Sequence, residues 1–349
     1  MEHKNMKFLY LLAAIVLIIG LIVFFFVNKK SQEGNKQTKN QAGLLEITKT
    51  NNANFIHLGK DGQTIFYFDE LETNFFKISV GQAESTALTD SDFITVKKVV
   101  WSPNDDQVLI KVLNHQYPYQ GSLSPVSDTN IPENSEVWWL YDFNTQKASK
   151  LRQGMTSAIF SPDASKISYS VSNEGIFVSN PDGAKAEKLI ESNNSSALSW
   201  SIDSQKILAQ EDGPNFPSLL ILDVIPKKLE TKIDKAEEGQ FSPNGGSIVY
   251  NSYIDFDQKK PSIYNLETKT SQDLNMETTM EKIIWYDDSS IVAVVPEQNE
   301  NFYLVTLKDL NKKLLFSAKR IVNALELTLA PDRKILYFTS DKNIYQLAL

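Results

Sequence analysis

Three stretches of this sequence decide the fold: Trp101-Ser102-Pro103-Asn104-Asp105, Phe160-Ser161-Pro162-Asp163-Ala164 and Phe241-Ser242-Pro243-Asn244-Gly245. Each is an aromatic residue followed by a short polar turn, and each turn leads into an apolar-rich run. Weaker copies start at Leu58, Trp200, Trp285 and Leu329, so successive copies lie 43, 59, 40, 41, 44 and 44 residues apart. A period near 40 residues indicates one supersecondary unit repeated along the chain.

The unit that starts at Met155 shows what is repeated. Residues 156–161, 166–172, 175–180 and 187–190 form four short runs that are rich in apolar and β-branched residues, and Pro162-Asp163 and Pro181-Asp182-Gly183 separate them. Short strands with turn residues between them predict one four-stranded antiparallel propeller blade. The sequence therefore predicts an all-β fold, a seven-bladed β-propeller, with six or eight blades as the alternatives.

The last repeat is short by one strand, which bears on how the ring closes. Residues 324–330, 334–339 and 343–349 account for three strands, and an open sheet edge promotes aggregation. Residues 43–49 precede the first complete unit, and we expect them to pair with the C-terminal strand. The propeller is thus predicted to span residues 43–349.

The repeats resemble the WD40-like repeat of the TolB family, in which an aromatic-Ser-Pro-Asp-Gly turn precedes strands with I-x-Y/F and I-Y pairs. The residues that carry the resemblance are Phe160–Asp163, the Phe241 turn, Ile176-Phe177 and Ile263-Tyr264. Four copies depart from the pattern. Trp200-Ser201-Ile202-Asp203 lacks proline, the Trp285 copy lacks Ser-Pro, the Leu329 copy lacks the aromatic residue and the Leu58 copy keeps only the turn. The resemblance covers residues 44–349 and implies a fold, with no catalytic residue.

A second segment predicts a membrane anchor. The run from Phe8 to Val27 contains 20 residues without a charge, long enough as a helix to cross the hydrocarbon core of a bilayer. A cleaved signal peptide is the alternative, but the run is longer than an ordinary signal-peptide core. We expect a short tail (1–7), a transmembrane helix (8–27) and a flexible linker (28–42).

The sequence gives weaker evidence about the side of the membrane on which the propeller lies. Two lysines precede the span and four follow it at residues 29–39, and this excess slightly favours a cytoplasmic C-terminal part. Large C-terminal domains are translocated largely regardless of charge. We therefore expect the propeller on the extracytoplasmic side.

The one long gap between repeats locates an insertion at residues 115–135. It lies between the second and third strands of its blade, on the propeller face where the innermost strands begin, and it carries His115, Tyr117 and Tyr119. Long loops on a rigid scaffold often bind partners. These three residues are the candidate partner-binding residues, and an insertion without a role is the alternative.

The sequence offers little for catalysis or cofactor binding. No metalloprotease, nucleophile-elbow or phosphate-loop pattern occurs, and the chain contains three histidines and no cysteine. We expect no metal and no cofactor. First strands begin with residues such as Thr156, Ser196, Glu237 and Asn323, and these provide few groups that could form an active site. Pairs such as Glu237-Glu238 are common by chance.

The net charge of −8 argues against nucleic acid as a partner, because a phosphate-binding surface is normally basic. The sequence therefore predicts a non-catalytic module that binds a protein or peptide, in an envelope assembly or a sensory complex. A propeller hydrolase or lyase, or a glycan-binding domain, with its site in the central funnel is the alternative.

Overall fold

A computed structural model describes residues 43–48, 50, 52–90, 92–114, 135–319 and 322–349 of the 349-residue chain. These residues form 28 strands and one 3-10 helix, at Met280–Lys282. The strands are grouped into seven sheets of four strands. The all-β, seven-bladed prediction is therefore confirmed.

Blade 7 contains both ends of the described chain. Its strands are β1 (Leu44–Glu46), β26 (Leu325–Leu329), β27 (Ile335–Ser340) and β28 (Asn343–Ala348). Their order is β1-β28-β27-β26, so β1 occupies the outermost position beside the C-terminal strand. The Ile47 N–H donates to the carbonyl of Ile344 at 2.7 Å, and the N–H of Ile344 donates to the Thr48 hydroxyl at 3.0 Å.

The other six blades each use four consecutive strands, with the innermost strand first in sequence. Blades 1 to 3 contain β2 (Ala53–Leu58), β3 (Thr64–Asp69), β4 (Asn74–Ser79) and β5 (Thr86–Ala87); β6 (Val96–Trp101), β7 (Gln107–Leu113), β8 (Glu136–Asp142) and β9 (Lys147–Lys150); and β10 (Met155–Phe160), β11 (Ile167–Val171), β12 (Gly175–Ser179) and β13 (Glu187–Ile190).

Blades 4 to 6 repeat this order. They contain β14 (Ser195–Trp200), β15 (Lys206–Glu211), β16 (Ser218–Asp223) and β17 (Lys228–Asp234); β18 (Ala236–Phe241), β19 (Ser247–Asp255), β20 (Gln258–Asn265) and β21 (Thr270–Asp273); and β22 (Ile283–Asp287), β23 (Ser290–Pro296), β24 (Glu300–Thr306) and β25 (Asn311–Ser317).

The hydrophobic core lies between neighbouring blades. One apolar cluster joins Phe66 and Phe75 of blade 1 to Trp101 and Trp139 of blade 2, and corresponding clusters join blades 2 and 3, 3 and 4, 4 and 5, 5 and 6, and 7 and 1. Trp138 and Phe302, on third strands, are completely buried. These two aromatic residues therefore belong to the core.

The repeated turn is stabilised by a buried serine. In blade 3 the hydroxyl of Ser161 donates to Asp163 Oδ1 at 2.5 Å and accepts the N–H of Lys166 at 3.0 Å. Ser102, Ser201 and Ser242 accept the corresponding N–H at 2.8–3.0 Å. The hydroxyl accepts the backbone N–H at the start of the second strand. The Ser-x-Asp/Asn spacing therefore stabilises these four turns.

Two parts of the sequence analysis lie outside the described residues. These are the membrane-anchor and linker segments at 1–42, and the insertion from 115 to 134 that carries His115, Tyr117 and Tyr119. Within the described ranges no helix is long and apolar enough to cross a membrane.

Candidate binding site at the mouth of the channel

Strand direction places the innermost strands of all seven blades with their first residues at one face, here called the top face. The loops between second and third strands open on the same face, because successive strands are antiparallel. Each repeat copy begins at Leu58, Trp101, Phe160, Trp200, Phe241, Trp285 or Leu329. The residues four and three positions before these starts therefore come together at the top end of the central channel. This set is called the mouth.

The mouth contains one pair of residues from each blade. In blade order the pairs are Asn54 and Phe55, Lys97 and Lys98, Thr156 and Ser157, Ser196 and Ala197, Glu237 and Glu238, Glu281 and Lys282, and Leu325 and Glu326. Charged groups thus occupy four of the seven blades at this level.

Local backbone irregularity shapes the mouth. The ladder between first and second strands shifts register at Asn54/His57, Glu237/Gln240 and Leu325/Thr328. Phe55, Glu238 and Glu326, at the same register in their blades, have left-handed φ angles of 55°, 50° and 51°. Bulges of this kind change the direction of side chains next to binding sites.

Three carboxylates form an acidic side of the mouth in blades 5 and 6. Burial raises the pKa of Glu238, and the charges of Glu237 and Glu281 raise it further. Glu238 accepts one hydrogen bond, from Asn251 Nδ2 at 2.8 Å, while Glu237 accepts from the Tyr253 hydroxyl and pairs with Lys259. The hydrogen bonds and the one lysine at this site therefore do not neutralise the negative charge of the three carboxylates.

Lysines of blade 2 lie on a different side of the ring. Burial lowers the pKa of Lys98, and the Lys111 charge lowers it further. Lys111 itself pairs with Glu136, whereas the Lys97 side chain is exposed. The mouth is consequently divided into a basic side and an acidic side, separated by the uncharged pairs of blades 3 and 4.

The remaining charged residues of the mouth are used to join blades. Glu326 accepts the N–H groups of Phe55 at 2.8 Å and Ile56 at 3.3 Å, which links blade 7 to blade 1. Burial raises the pKa of Glu326, against the effect of these hydrogen bonds. Lys282 forms a buried ion pair with Glu300 of its own blade. Its Nζ also donates to the carbonyl of Ala324 at 3.2 Å, which links blade 6 to blade 7. We therefore assign Glu326 and Lys282 structural roles.

A cavity of about 380 Å³ opens beside the acidic side, between blades 6, 7 and 1. Its polar lining includes Asn54, Glu281 and Thr339, and the buried Nδ2 of Asn54 has no hydrogen-bond partner among the described residues. Its apolar lining is Met280, Ile283, Leu325 and Leu327. This combination suits a ligand with an apolar part, a positively charged group for Glu281 and a hydrogen-bond acceptor for Asn54 Nδ2.

The described residues contain no group of three or more histidine, aspartate or glutamate side chains arranged to hold a metal ion. His57, in β2, pairs with Asp105 at 2.9 Å and stacks on Trp101 with ring centroids 6.0 Å apart. It therefore belongs to the contact between blades 1 and 2.

The structure places the predicted loop only by its base. The N–H of Asn114 donates to the carbonyl of Ser135 at 2.8 Å, so the described residues that flank the insertion meet at the top face of blade 2. His115, Tyr117 and Tyr119 lie outside the described residues, and their role as partner-binding residues stays a prediction.

The acidic and basic sides of the mouth were missed by the sequence analysis, which treated Glu237-Glu238 as a chance pair. Aligning the repeats on their turns supplies the signal. Lys97, Glu237 and Glu281 then fall in one column, at a position that the propeller brings together from different blades.

Among known proteins, the chain is similar to solved structures and not to curated sequences. No protein-family model matches it, and no curated sequence matches it. Many solved structures match. The tricorn protease is 13% identical with a TM-score of 0.59 over 89% of this chain, and the chain spans 34% of that protein. Kuenenia stuttgartiensis hydrazine synthase is 11% identical with a TM-score of 0.60, covering 90% of this chain and 98% of that one.

TolB from Acinetobacter baumannii also matches, at 12% identity and a TM-score of 0.47, over 82% of this chain and 64% of that one. At these identities the similarities concern the fold alone. The propeller architecture itself rests on the seven four-stranded sheets of this structure, and it is the architecture that the repeats predict.

Proposed function

We propose that this chain is a membrane-anchored propeller on the extracytoplasmic side that binds a protein or peptide at its top face without catalysing a reaction. The observation that carries the proposal is the acidic side of the mouth. Burial raises the pKa of Glu238 there, and the charges of Glu237 and Glu281 raise it further. A cationic group of a partner would relieve this repulsion.

The test removes the charge without altering the blades. Full-length tagged protein is cross-linked in intact cells, and the yield of each cross-linked partner is compared with that of the triple variant Glu237→Gln, Glu238→Gln, Glu281→Gln. The control carries Asp182→Asn, Glu267→Gln and Asp309→Asn, which make the same charge change at turns on the opposite face. We expect the yield to fall for the first variant and to stay unchanged for the control.

Equal yields from the two variants would show that the partner does not bind at the acidic side of the mouth. A parallel comparison with Tyr117→Ala/Tyr119→Ala tests the insertion, for which the same loss of yield is expected. A hydrolase or lyase in the channel, or a glycan-binding domain, remains the alternative if no polypeptide is captured.

Sidedness has its own test, because the chain contains no cysteine. An Ala186→Cys substitution places one thiol on an exposed turn of blade 3. A membrane-impermeant maleimide should label it in intact cells if the propeller is extracytoplasmic. Labelling that requires cell lysis would place the propeller inside.

A further inference from the structure

An aromatic cluster stands on the top face beside the acidic side of the mouth. The hairpin of β19 and β20 is formed by strands of nine and eight residues and carries Tyr253 and Phe256 near its end. The loop between β15 and β16, in the neighbouring blade, contributes Phe216. The Phe216 ring stacks on Phe256 with centroids 4.6 Å apart and lies 5.2 Å from Tyr253. These three residues are called the aromatic rim.

The aromatic rim leaves apolar surface uncovered. Phe256 is 63% exposed, and Ile254 on the same hairpin is 50% exposed. Other large exposed apolar side chains of the described residues include Leu71, alone in blade 1, and Ile202 and Ile225 at turns of blade 4 on the opposite face. Single exposed residues are ordinary, but exposed apolar side chains gathered at one place, with a polar surround, indicate a contact surface.

The position of Phe216 is fixed by its loop. A Cβ atom added at Gly213 would lie 2.4 Å from the Phe216 carbonyl oxygen, so the chain folds back tightly there. Pro214 and Pro217 further restrict the backbone on both sides of the ring. The rim is therefore formed before any partner arrives, which lowers the entropic cost of binding.

The charges around the rim favour a cationic partner. Asp255 and Asp257 flank Phe256 in sequence, both are exposed, and neither forms an ion pair within the described ranges. The rim already interacts with ammonium groups of this chain, since Lys235 Nζ lies 5.0 Å from the Phe216 ring centre and Lys259 Nζ 5.0 Å from that of Tyr253. Arginine and lysine both bind to aromatic faces in this way, and arginine does so most often.

The rim is also continuous with the mouth. The Tyr253 hydroxyl donates to Glu237, and Lys259 pairs with the same carboxylate. A segment lying across Phe256 would thus reach Glu237 and Glu238 with its next positive charge.

We infer that the aromatic rim and the adjacent aspartates dock a polypeptide segment in which an arginine or lysine lies next to an apolar side chain. This inference rests on the proposed function and adds the chemical class of the partner and its place on blades 4 and 5.

The experiment measures fluorescence anisotropy of labelled peptides with the full-length protein in detergent micelles. The probe is Gly-Ser-Arg-Phe-Arg-Ser-Gly, and its controls replace both arginines by glutamate or the phenylalanine by serine. We expect saturable binding of the probe alone and a dissociation constant that rises about tenfold in Phe256→Ser. The matched control is Leu71→Ser, at an exposed position of the equivalent loop in blade 1.

Asp255→Asn/Asp257→Asn should weaken binding of the probe and reduce its dependence on salt. Probe binding that is equal in the wild type, Phe256→Ser and Leu71→Ser would overturn the inference, as would Phe256-dependent binding of a neutral oligosaccharide in place of the peptide. The proposed function fails separately, when the mouth variant leaves cellular cross-linking unchanged.

Discussion

At the scale of single residues, Glu238 has an energetically unfavourable backbone and charge environment, and a partner can still reach it because it is exposed. Its backbone has a φ of 50°, a conformation that costs energy for a residue with a side chain. Its carboxylate is close to two others, and its pKa is raised by burial and by their charges. A residue that destabilises the fold in two ways marks a place where binding can recover the energy.

The pH dependence of stability tests this reading of Glu238. Because its pKa in the folded protein lies above the ordinary value of 4.5, ionising it disfavours the fold. The penalty is absent below that ordinary value and is fully present above the raised folded-state pKa. Glu238→Gln should therefore melt at a higher temperature than the wild type near pH 7, and the difference should disappear as the pH falls below 4.5.

The control is Glu187→Gln. Glu187 is exposed, and its hydrogen bond to Lys227 lowers its pKa, so removing its charge should not raise stability at neutral pH. A Glu238→Gln protein that melts below the wild type at pH 7, or a difference independent of pH, would contradict the reading.

At the scale of the structural element, the repeated turn with a buried serine between the first and second strands is the feature from which the sequence predicts the fold. The first and second strands of blades 2 to 5 meet at a buried Ser102, Ser161, Ser201 or Ser242, none more than 2% exposed. Blade 7 has Ala330 at this position. Its backbone keeps the turn, since Ala330 N–H donates to the Ile335 carbonyl at 2.9 Å and Arg333 N–H donates back to Ala330 at 2.8 Å.

Exchanging serine and alanine at the two kinds of turn should change stability in opposite directions. Ser161→Ala leaves the half-buried N–H of Lys166 without its acceptor, which should cost about 1–3 kcal/mol. Ala330→Ser adds a hydroxyl beside Asp332 and the N–H of Ile335, and should gain about 0.5–1.5 kcal/mol. Urea unfolding of each variant measures the difference.

The control for the second exchange is Ala293→Ser. Ala293 is completely buried in the middle of β23, where a hydroxyl finds no turn, so a loss of about 1–3 kcal/mol is expected. If Ala330→Ser destabilises the protein as much as Ala293→Ser does, the serine hydroxyl is not what fixes the turn.

At the scale of the whole molecule, local and distant contacts were predictable to different degrees. The turns depend on residues within five positions of each other, such as Ser161 and Lys166, so their pattern survives in the sequence and predicts the blades. Glu326 binds the N–H of Phe55 across 271 positions. No local pattern encodes that contact.

The same reasoning explains the candidate site. Asp105 belongs to the repeated turn of blade 2, yet it also pairs with His57, 48 positions away. Only the packing of neighbouring blades creates that contact. Glu237, Glu238 and Glu281 likewise become an acidic group only when blades 5 and 6 are adjacent. The sequence supplied the charges, and the ring determined which of them meet.

Closure of the ring is the remaining property of the whole molecule. The strand β1 contributes backbone hydrogen bonds to β28, and the Thr48 side chain, 4% exposed, accepts the Ile344 N–H. The next residues continue the link, because Ala53 N–H donates to the Lys342 carbonyl at 2.9 Å. Removing this segment would open one edge of blade 7 and release the two ends of the propeller from each other.

Deleting residues 43–50 should therefore lower the melting temperature by about 5–15 °C, from the loss of several hydrogen bonds of about 1 kcal/mol each and of buried apolar surface. The control deletes residues 31–38, eight residues that precede every described strand, and should melt as the wild type does. Thr48→Val removes one acceptor alone, so its loss should lie between the two. Calorimetry gives the melting temperatures, and sedimentation velocity should show association of the 43–50 deletion through its open edge. An unchanged melt after that deletion would mean that the ring holds without β1, through the contacts of Glu326 with blade 1.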